Sequence, residues 1–429
     1  MITAYNNSAW LGEVPSDWRR TCVKRVADFS PSYSGGKPVP DEICTVVPMD
    51  AVSEFGAVRV ESQEVFSDVT PGLTLFESGD VLFAKITPCM ENGKGAQVSN
   101  LPTRYAFGST EFHVMRPSHE IDGKFLYFAT FNPFFRAWAE KNMQGAAGQQ
   151  RVTTRFLKYS TLPLPPLAEQ KRIAAYLDAS CAAIDRAVET KRKQLETLDA
   201  LRKSIIQKAV TQGLNPKVKL KDSGAVHLGP LPQHWKVRRV KDVFEFHNHR
   251  RIPISSADRG VMSDRIYDYY GASGAIDKVE NFIFDGRYIL LAEDGANLLS
   301  RSKQLAFFAE GQFWVNNHAH IIKPWRGNEI YWVNLLEAQD YSLAVTGSAQ
   351  PKLNMQNFGR FQIPVPPVAE QNEIADFVVR RSAEFDKVKD TLVAQLTTLT
   401  AYRKSLIHEC VTGKRRISAA DVAKVEAHR

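Results

Sequence analysis

With 429 residues, 44% of them hydrophobic, the chain has room for two domains of about 150 residues plus connecting elements, and enough apolar side chains to bury real cores. It has no run of about 18 apolar residues, its opening MITAYNNSAWLGEVP carries no charged-then-apolar signal pattern, and its five scattered cysteines form no CxxC pair; these features exclude a membrane span, a disulfide framework and a zinc site, and predict a soluble, cytoplasmic protein. The net charge of +8 divides as −1 over residues 1–162, +5 over 163–227, +2 over 228–362 and +2 over 363–429, so the globular parts are nearly neutral and charge alone gives little support for a nucleic-acid partner.

The first globular segment, residues 1–162, opens with LGEVPSDWRR. Alternating runs such as VRVESQEVF and DVLFAKI, set between Gly, Pro and Asn turns, predict short strands. STEFHVMRP (residues 109–117) precedes an aromatic run, FLYFATFNPFFRAW, that predicts a helix. Residues 163–213 begin PLPPLAEQKRIAAYL, a rigid proline lead-in followed by no Pro or Gly until Gly213, which predicts one long helix. Its apolar residues Leu177, Cys181, Ile184, Val188, Leu195, Leu198 and Ile205 recur in steps of three and four, the 3.5-residue seam of a coiled coil, interrupted at Lys191. At about 1.5 Å per residue such a helix spans roughly 65 Å.

A linker, 214–227, leads to the second globular segment, 228–362. It opens LGPLPQHWKV, so that Leu228, Gly229, Pro232 and Trp235 repeat the spacing of Leu11, Gly12, Pro15 and Trp18. The strand signals NFIF, RYILLA and NNHAHIIKP (residues 316–324) and the helical run IYWVNLL follow. Residues 363–413 then repeat the long helix: PVPPVAEQNEIADFV places Glu370 and Gln371 201 positions after Glu169 and Gln170, without a gap over the helix. The second seam is Val378, Phe385, Leu392, Leu396, Leu399 and Leu406, interrupted at Lys389. A basic tail, 414–429, ends the chain.

Two copies paired along their length in a head-to-tail duplication are related most simply by a perpendicular twofold axis, which makes the helices antiparallel. The expected fold class is therefore α+β: two globular α/β domains separated by two long antiparallel coiled-coil helices, a pseudo-twofold internal repeat with both domains facing the same way. A pair of ordinary amphipathic core helices is the alternative. Two domains with one scaffold and different intervening loops should do the same job on different targets.

The doubled PxPPxxEQ ahead of doubled helices, with Gly145, Arg151 and Phe156 before the first and GSAQPKLNMQNF before the second, resembles the specificity subunit of type I restriction-modification systems over essentially the whole chain. The resemblance implies two target recognition domains, each reading one half of a bipartite double-stranded DNA site, on paired helices that dock two modification (methyltransferase) subunits. It implies that this chain is no enzyme and binds no cofactor. S-adenosylmethionine, and the ATP and Mg²⁺ of separate restriction (translocase-nuclease) subunits, belong to the partners. The second domain is shorter than the first, so the two half-sites are expected to differ in length. A two-module coiled-coil protein-binding adaptor, and the DNA-reading part of a self-sufficient methyltransferase-nuclease, are the competing readings.

Enzyme motifs are incomplete. Asn132, Pro133, Phe134 and Phe135 resemble the (D/N)PP(F/Y) signature of adenine methyltransferases but lack its second proline and any glycine-rich cofactor loop upstream. Asp80 and Lys85 would frame a nuclease metal box, yet Phe83 occupies the acidic slot, and ENGKGAQ is not a phosphate-binding loop. His318 and His320 would lie on one face of a strand without a third ligand, and His113 takes the slot equivalent to His320, which predicts structural histidines and no metal.

Base readout calls for Arg or Lys on guanine and Asn or Gln on adenine. The richest loops are residues 87–97 and 145–151 in the first domain, and 270–278, 293–303 and 347–352 in the second. Within them Lys94, Gln149, Arg151, Asn297, Arg301, Gln350 and Lys352 are the candidate DNA-binding residues.

Overall fold

The computed structural model describes residues 9–60, 62–146, 148–347 and 350–427. Two compact units emerge, one formed by Met1–Arg192 with Val393–Arg429 and the other by Lys193–Leu392. Each unit thus joins one globular segment to the start of the long helix that follows it and to the end of the other long helix.

In the first unit one sheet runs, in order, Ala27–Phe29, Phe112–Pro117, Val81–Ala84 and Gly95–Gln97, all antiparallel. A second sheet runs Ser62–Val65, Ile43–Val47, Tyr105–Gly108 and Thr74–Glu77, with Ile43–Val47 and Tyr105–Gly108 parallel. Strand Val81–Ala84 is buried throughout because both of its faces are covered. Val81 and Phe83 pack with Phe125 and Leu126 of the helical layer, while Leu82 and Ala84 pack with Phe112 and Val114. The aromatic run forms two helices, Gly123–Phe131 and Pro133–Glu140, because Asn132 ends one and caps the next.

The second unit has one six-stranded sheet, ordered Phe244–Phe246, Ala319–Pro324, Phe284–Ala292, Ala306–Val315, Tyr267–Gly271 and Gly274–Val279. The two runs NFIF and RYILLA contribute to a single strand, Phe284–Ala292. Gly286 continues it through a positive φ of 116° and stands opposite Gly311, φ 77°, where two side chains would strain both backbones. Ile289 and Leu291 face Trp332 and Leu336 of helix Glu329–Ala338, and Tyr288 and Leu290 face the other side.

The proline lead-in is a strand. Thr161–Leu164 pairs antiparallel with Arg19–Cys22, and Gln362–Val365 pairs with Lys236–Arg239, so each globular segment is stapled where it begins and ends. The long helices then run over Leu167–Gln212 and Val368–Thr412. Within the first unit Leu177, Cys181 and Ile184 are buried with Leu406 and Cys410, with Val188 and Leu399 against them. Arg172 reaches the Ile417 carbonyl and Asp185 pairs with Arg403, so the two helices run antiparallel there. Within the second unit Val378 and Leu392 are buried, Leu195, Leu198, Ile205, Phe385 and Leu396 are half-buried, and the ion pairs Asp199–Lys389 and Arg202–Asp386 give the same antiparallel sense. Lys389 therefore interrupts the seam with an ion pair at its edge.

The linker and the basic tail both carry regular elements. The linker contains Leu220–Asp222, paired with Pro230–Pro232, and the tail contains helix Ala419–Glu426, opened by a Ser418/Asp421 capping box behind the buried Ile417. No helix among the described residues is long and apolar enough to cross a membrane.

Candidate nucleic-acid interface

The loops hang from a frame that the EQ pair locks. Gln170 donates through Nε2 to the carbonyls of Pro165 (2.8 Å) and Glu120 (3.0 Å), and its Oε1 accepts from the Asp122 amide at 2.8 Å. Gln371 repeats this with Pro366 (3.0 Å) and the Asn328 amide (3.0 Å). Asp122 and Asn328 cap the helices Gly123–Phe131 and Glu329–Ala338, so the start of each long helix fixes the helical layer of the preceding globular segment. Glu169 and Glu370 meanwhile accept the indole N–H of Trp18 (3.2 Å) and Trp235 (2.9 Å), the tryptophans that open each segment.

In the first unit the two candidate loops are brought together. Thr87 exchanges hydrogen bonds with Gln150, its amide donating to the carbonyl at 3.0 Å and its Oγ1 accepting from the Gln150 amide at 2.9 Å, and Val152 donates to the Lys85 carbonyl at 2.8 Å. Arg151 forks onto Glu111, with Nη2–Oε1 at 2.8 Å, and this hydrogen-bonded guanidinium holds the Glu111 carboxyl below its ordinary range. Lys94 is half-buried and donates to the Met49 carbonyl at 3.1 Å, which makes it a brace for its own loop. Gln149 is exposed. Ala147 of this loop, and Ser348 and Ala349 of its counterpart, lie outside the described residues.

In the second unit a chain of hydrogen bonds links all three candidate loops. The Asn316 amide donates to the Tyr270 carbonyl (3.0 Å), Glu293 to that of His318 (2.9 Å), Gly295 to that of Pro351 (2.9 Å) and Leu353 to that of Glu293 (2.8 Å). Asn297 is committed locally, its amide group bracing the backbone of Lys303 at 3.1 and 2.8 Å. Arg301, in the left-handed region with φ 50°, directs its guanidinium onto the carbonyls of Glu337 and Gln339 at the end of helix Glu329–Ala338. Lys352 is exposed and lies 3.4 Å from Glu293. Gln350 is exposed, as is Lys303, which was not among the candidates although it stands beside Arg301 and Asn297. Of the seven candidates, the structure therefore uses Lys94, Asn297 and Arg301 to shape loops and leaves Gln149 and Gln350, equivalent positions of the repeat, facing solvent.

The histidines are structural, but not as a pair on one face. His318 precedes the strand and pairs with Asp294 at 2.8 Å, while His320 is fully buried, its Nε2–H donating to the Leu353 carbonyl at 2.7 Å and its Nδ1 accepting from Asn248 at 2.8 Å. Burial pushes the His320 imidazole down to about 4. His113 makes the equivalent bond to the Val152 carbonyl at 2.8 Å. Burial pushes Glu293 up, but the Arg251 hydrogen bond and the neighbouring cations outweigh it and hold the carboxyl below its ordinary range. Asn132 caps its helix by accepting from the Phe134 amide at 2.9 Å and donates to His408 at 3.2 Å, which accounts for the NPFF sequence without methyl transfer. Asp80 is buried and its carboxylate is forked by Arg116 at 2.8 Å. No cluster of three or more His, Cys, Asp or Glu suited to a metal ion exists among the described residues.

Two modules with different sheets are thus each locked to a long helix by the same Glu–Trp and Gln–cap clamp, and each presents its own loops. The chain matches the type I restriction modification DNA specificity domain over residues 69–197 and 232–397, and it belongs to that family. It is similar to the type I restriction enzyme EcoAI specificity subunit of Escherichia coli, 34% identical over 190 residues that cover 44% of this chain and 31% of that one. It is also similar to the type I restriction enzyme MjaVIII specificity subunit of Methanocaldococcus jannaschii, 24% identical over 257 residues, 59% of this chain and 55% of that one. The match thus spans about a third of the Escherichia coli relative. In fold the chain resembles a structure titled for complex assembly and conformational transition of the type I R-M system, with TM-score 0.72, 16% identity and coverage of 93% and 98%. The HsdS subunit from Thermoanaerobacter tengcongensis follows, with TM-score 0.53, 18% identity and coverage of 94% and 98%.

Proposed function

We propose that the chain is the non-catalytic DNA-specificity subunit of a type I restriction-modification complex. Residues 1–162 and 228–362 each read one half of a bipartite double-stranded site, and the paired helices dock two modification subunits. The single observation that carries this reading is the repeated clamp: the same Glu–Trp and Gln–cap bonds seat both modules on the long helices, while the loops they present differ. A frame repeated with changed loops suits two readings of one duplex. S-adenosylmethionine belongs to the modification subunits, and ATP and Mg²⁺ to restriction subunits, all in the cytoplasm. Gln149, Arg151, Gln350 and Lys352 are the residues proposed to approach bases or phosphates, with Lys94, Asn297 and Arg301 setting the loop shapes behind them.

The test is selection from a randomised duplex pool by the chain together with its modification subunits. Enrichment of two short motifs at one fixed separation supports the reading. A complex that assembles yet enriches no sequence refutes it and favours the protein-binding adaptor.

A further inference from the structure

The repeat is filled differently at the starts of its two helices. In the first unit Arg416 brings a guanidinium onto Glu169, with Nε–Oε1 at 2.7 Å and Nη2–Oε2 at 3.1 Å, and onto both oxygens of Asp17 at 3.0 and 2.8 Å. Its Cζ stands 5.5 Å from the centre of the Trp18 ring. The Glu169 side chain is left only 6% exposed.

In the second unit Trp235 donates to Glu370 in the same way, but among the described residues no arginine is seen on that carboxylate. The chain after Gly413 reads KRRIS, whereas the chain after Gly213 reads LNPK. What remains is a cleft of about 460 Å³ whose lining includes His234, Glu370 and Glu373 beside Leu214, Val218 and Pro367. His234 takes the place of Asp17 and reaches Glu370 only at Oε2, 2.8 Å away. Glu373 takes the place of Arg172, which reverses the charge there. The Glu370 side chain is 24% exposed, four times the exposure of Glu169.

We propose that this cleft binds a guanidinium group, delivered as an arginine side chain by another polypeptide. The chemistry is that which the first unit already displays: a planar fork matched to a carboxylate beside an indole, a geometry an ammonium does not reproduce. The cleft is larger than a guanidinium, and its apolar wall of Leu214, Val218 and Pro367 suits the aliphatic stem of an arginine and its chain neighbours.

The test uses the full chain with ¹⁵N-labelled tryptophan, the Trp235 indole resonance being assigned through Trp235→Phe. The probe is the nonapeptide GKRRISAAD, this chain's own residues 413–421, compared with a peptide bearing Ala at its fourth position and with L-argininamide. The peptide should move the Trp235 resonance saturably, and the alanine peptide should bind about fivefold or more weakly. Argininamide should bind more weakly than the peptide. Trp18, already served by Arg416, should stay in place, and Arg416→Ala should make it respond as well. Asn215→Arg, which supplies the cation from within, should abolish the Trp235 response without disturbing the core. The proposal is overturned if Trp235 is unmoved, if the alanine peptide or NaCl at equal ionic strength moves it equally, or if Asn215→Arg leaves the response intact. Argininamide binding as tightly as the peptide would overturn a polypeptide as the source.

Discussion

Arg202 and Arg403 occupy one position of the repeat and make the same ion pair, to Asp386 and Asp185, yet they should differ sharply when truncated. The Arg403 side chain is 10% exposed and Asp185 29%, against 31% and 55% for Arg202 and Asp386. Stripping one partner from a fully buried pair costs about 3–5 kcal/mol, which the partial hydration of Asp185 reduces to roughly 2–3 kcal/mol. Arg403 also lies 5.4 Å from the Phe55 ring and 5.7 Å from that of Phe131, and losing these contacts adds about 0.5–1 kcal/mol. Arg202→Ala breaks a solvent-screened pair worth about 0–1 kcal/mol. In a unit of this size each kcal/mol moves the midpoint by about 2–4 °C, so Arg403→Ala should lower Tm by on the order of 10 °C and Arg202→Ala by at most about 4 °C. Thermal unfolding followed by far-ultraviolet circular dichroism measures both. Equal shifts, or a larger loss for Arg202→Ala, would show that burial does not set the strength of these pairs.

Gln371→Ala orphans the Asn328 amide and the Pro366 carbonyl and should cost roughly 2–3 kcal/mol, read as a lower urea midpoint; a change under about 0.5 kcal/mol would remove the clamp from the account. His320 has a folded-state pKa of about 4 against an ordinary 6.5, so the unfolded chain takes the proton first: its contribution is complete above pH 6.5 and is lost as pH falls toward 4. This amounts to roughly 3 kcal/mol. Urea midpoints between pH 7 and 4.5 should therefore fall less steeply in His320→Gln than in the parent, and parallel curves would contradict the assignment. Gln350→Ala should relax selection at one base pair of one half-site with Tm unchanged, whereas Arg301→Ala should lower Tm by releasing the loop from the carbonyls of Glu337 and Gln339. A selected site identical in Gln350→Ala and the parent would show that Gln350 is not a base contact.

What the sequence made legible were features repeated in it. The seam residues, the EQ pair and the matching tryptophans recur at fixed spacing because both copies solve one packing problem, and their roles follow from hydrogen bonds that need those side chains. Helix and strand periodicity likewise located the aromatic helices and the histidine strands. What escaped were features set by tertiary neighbours. Arg301 and Asn297 look like readers in a polar loop, and only the nearness of a helix end and of the Lys303 backbone turns them inward. Asn132 resembles part of a catalytic motif until its amide is seen capping a helix. Nothing local to KRRIS announces that Arg416 reaches Asp17, 399 positions away in sequence, and Glu169, 247 positions away.

Two modules on one frame are proposed to read two halves of a DNA site. Modified adenines can be mapped genome-wide in a host carrying this chain with its modification and restriction subunits, then again after residues 228–362 are replaced by the second domain of a relative. A two-part motif with a fixed spacer is expected, in which the replacement changes one half and leaves the other intact. Modification with no two-part motif, or a replacement that alters both halves together, would contradict it.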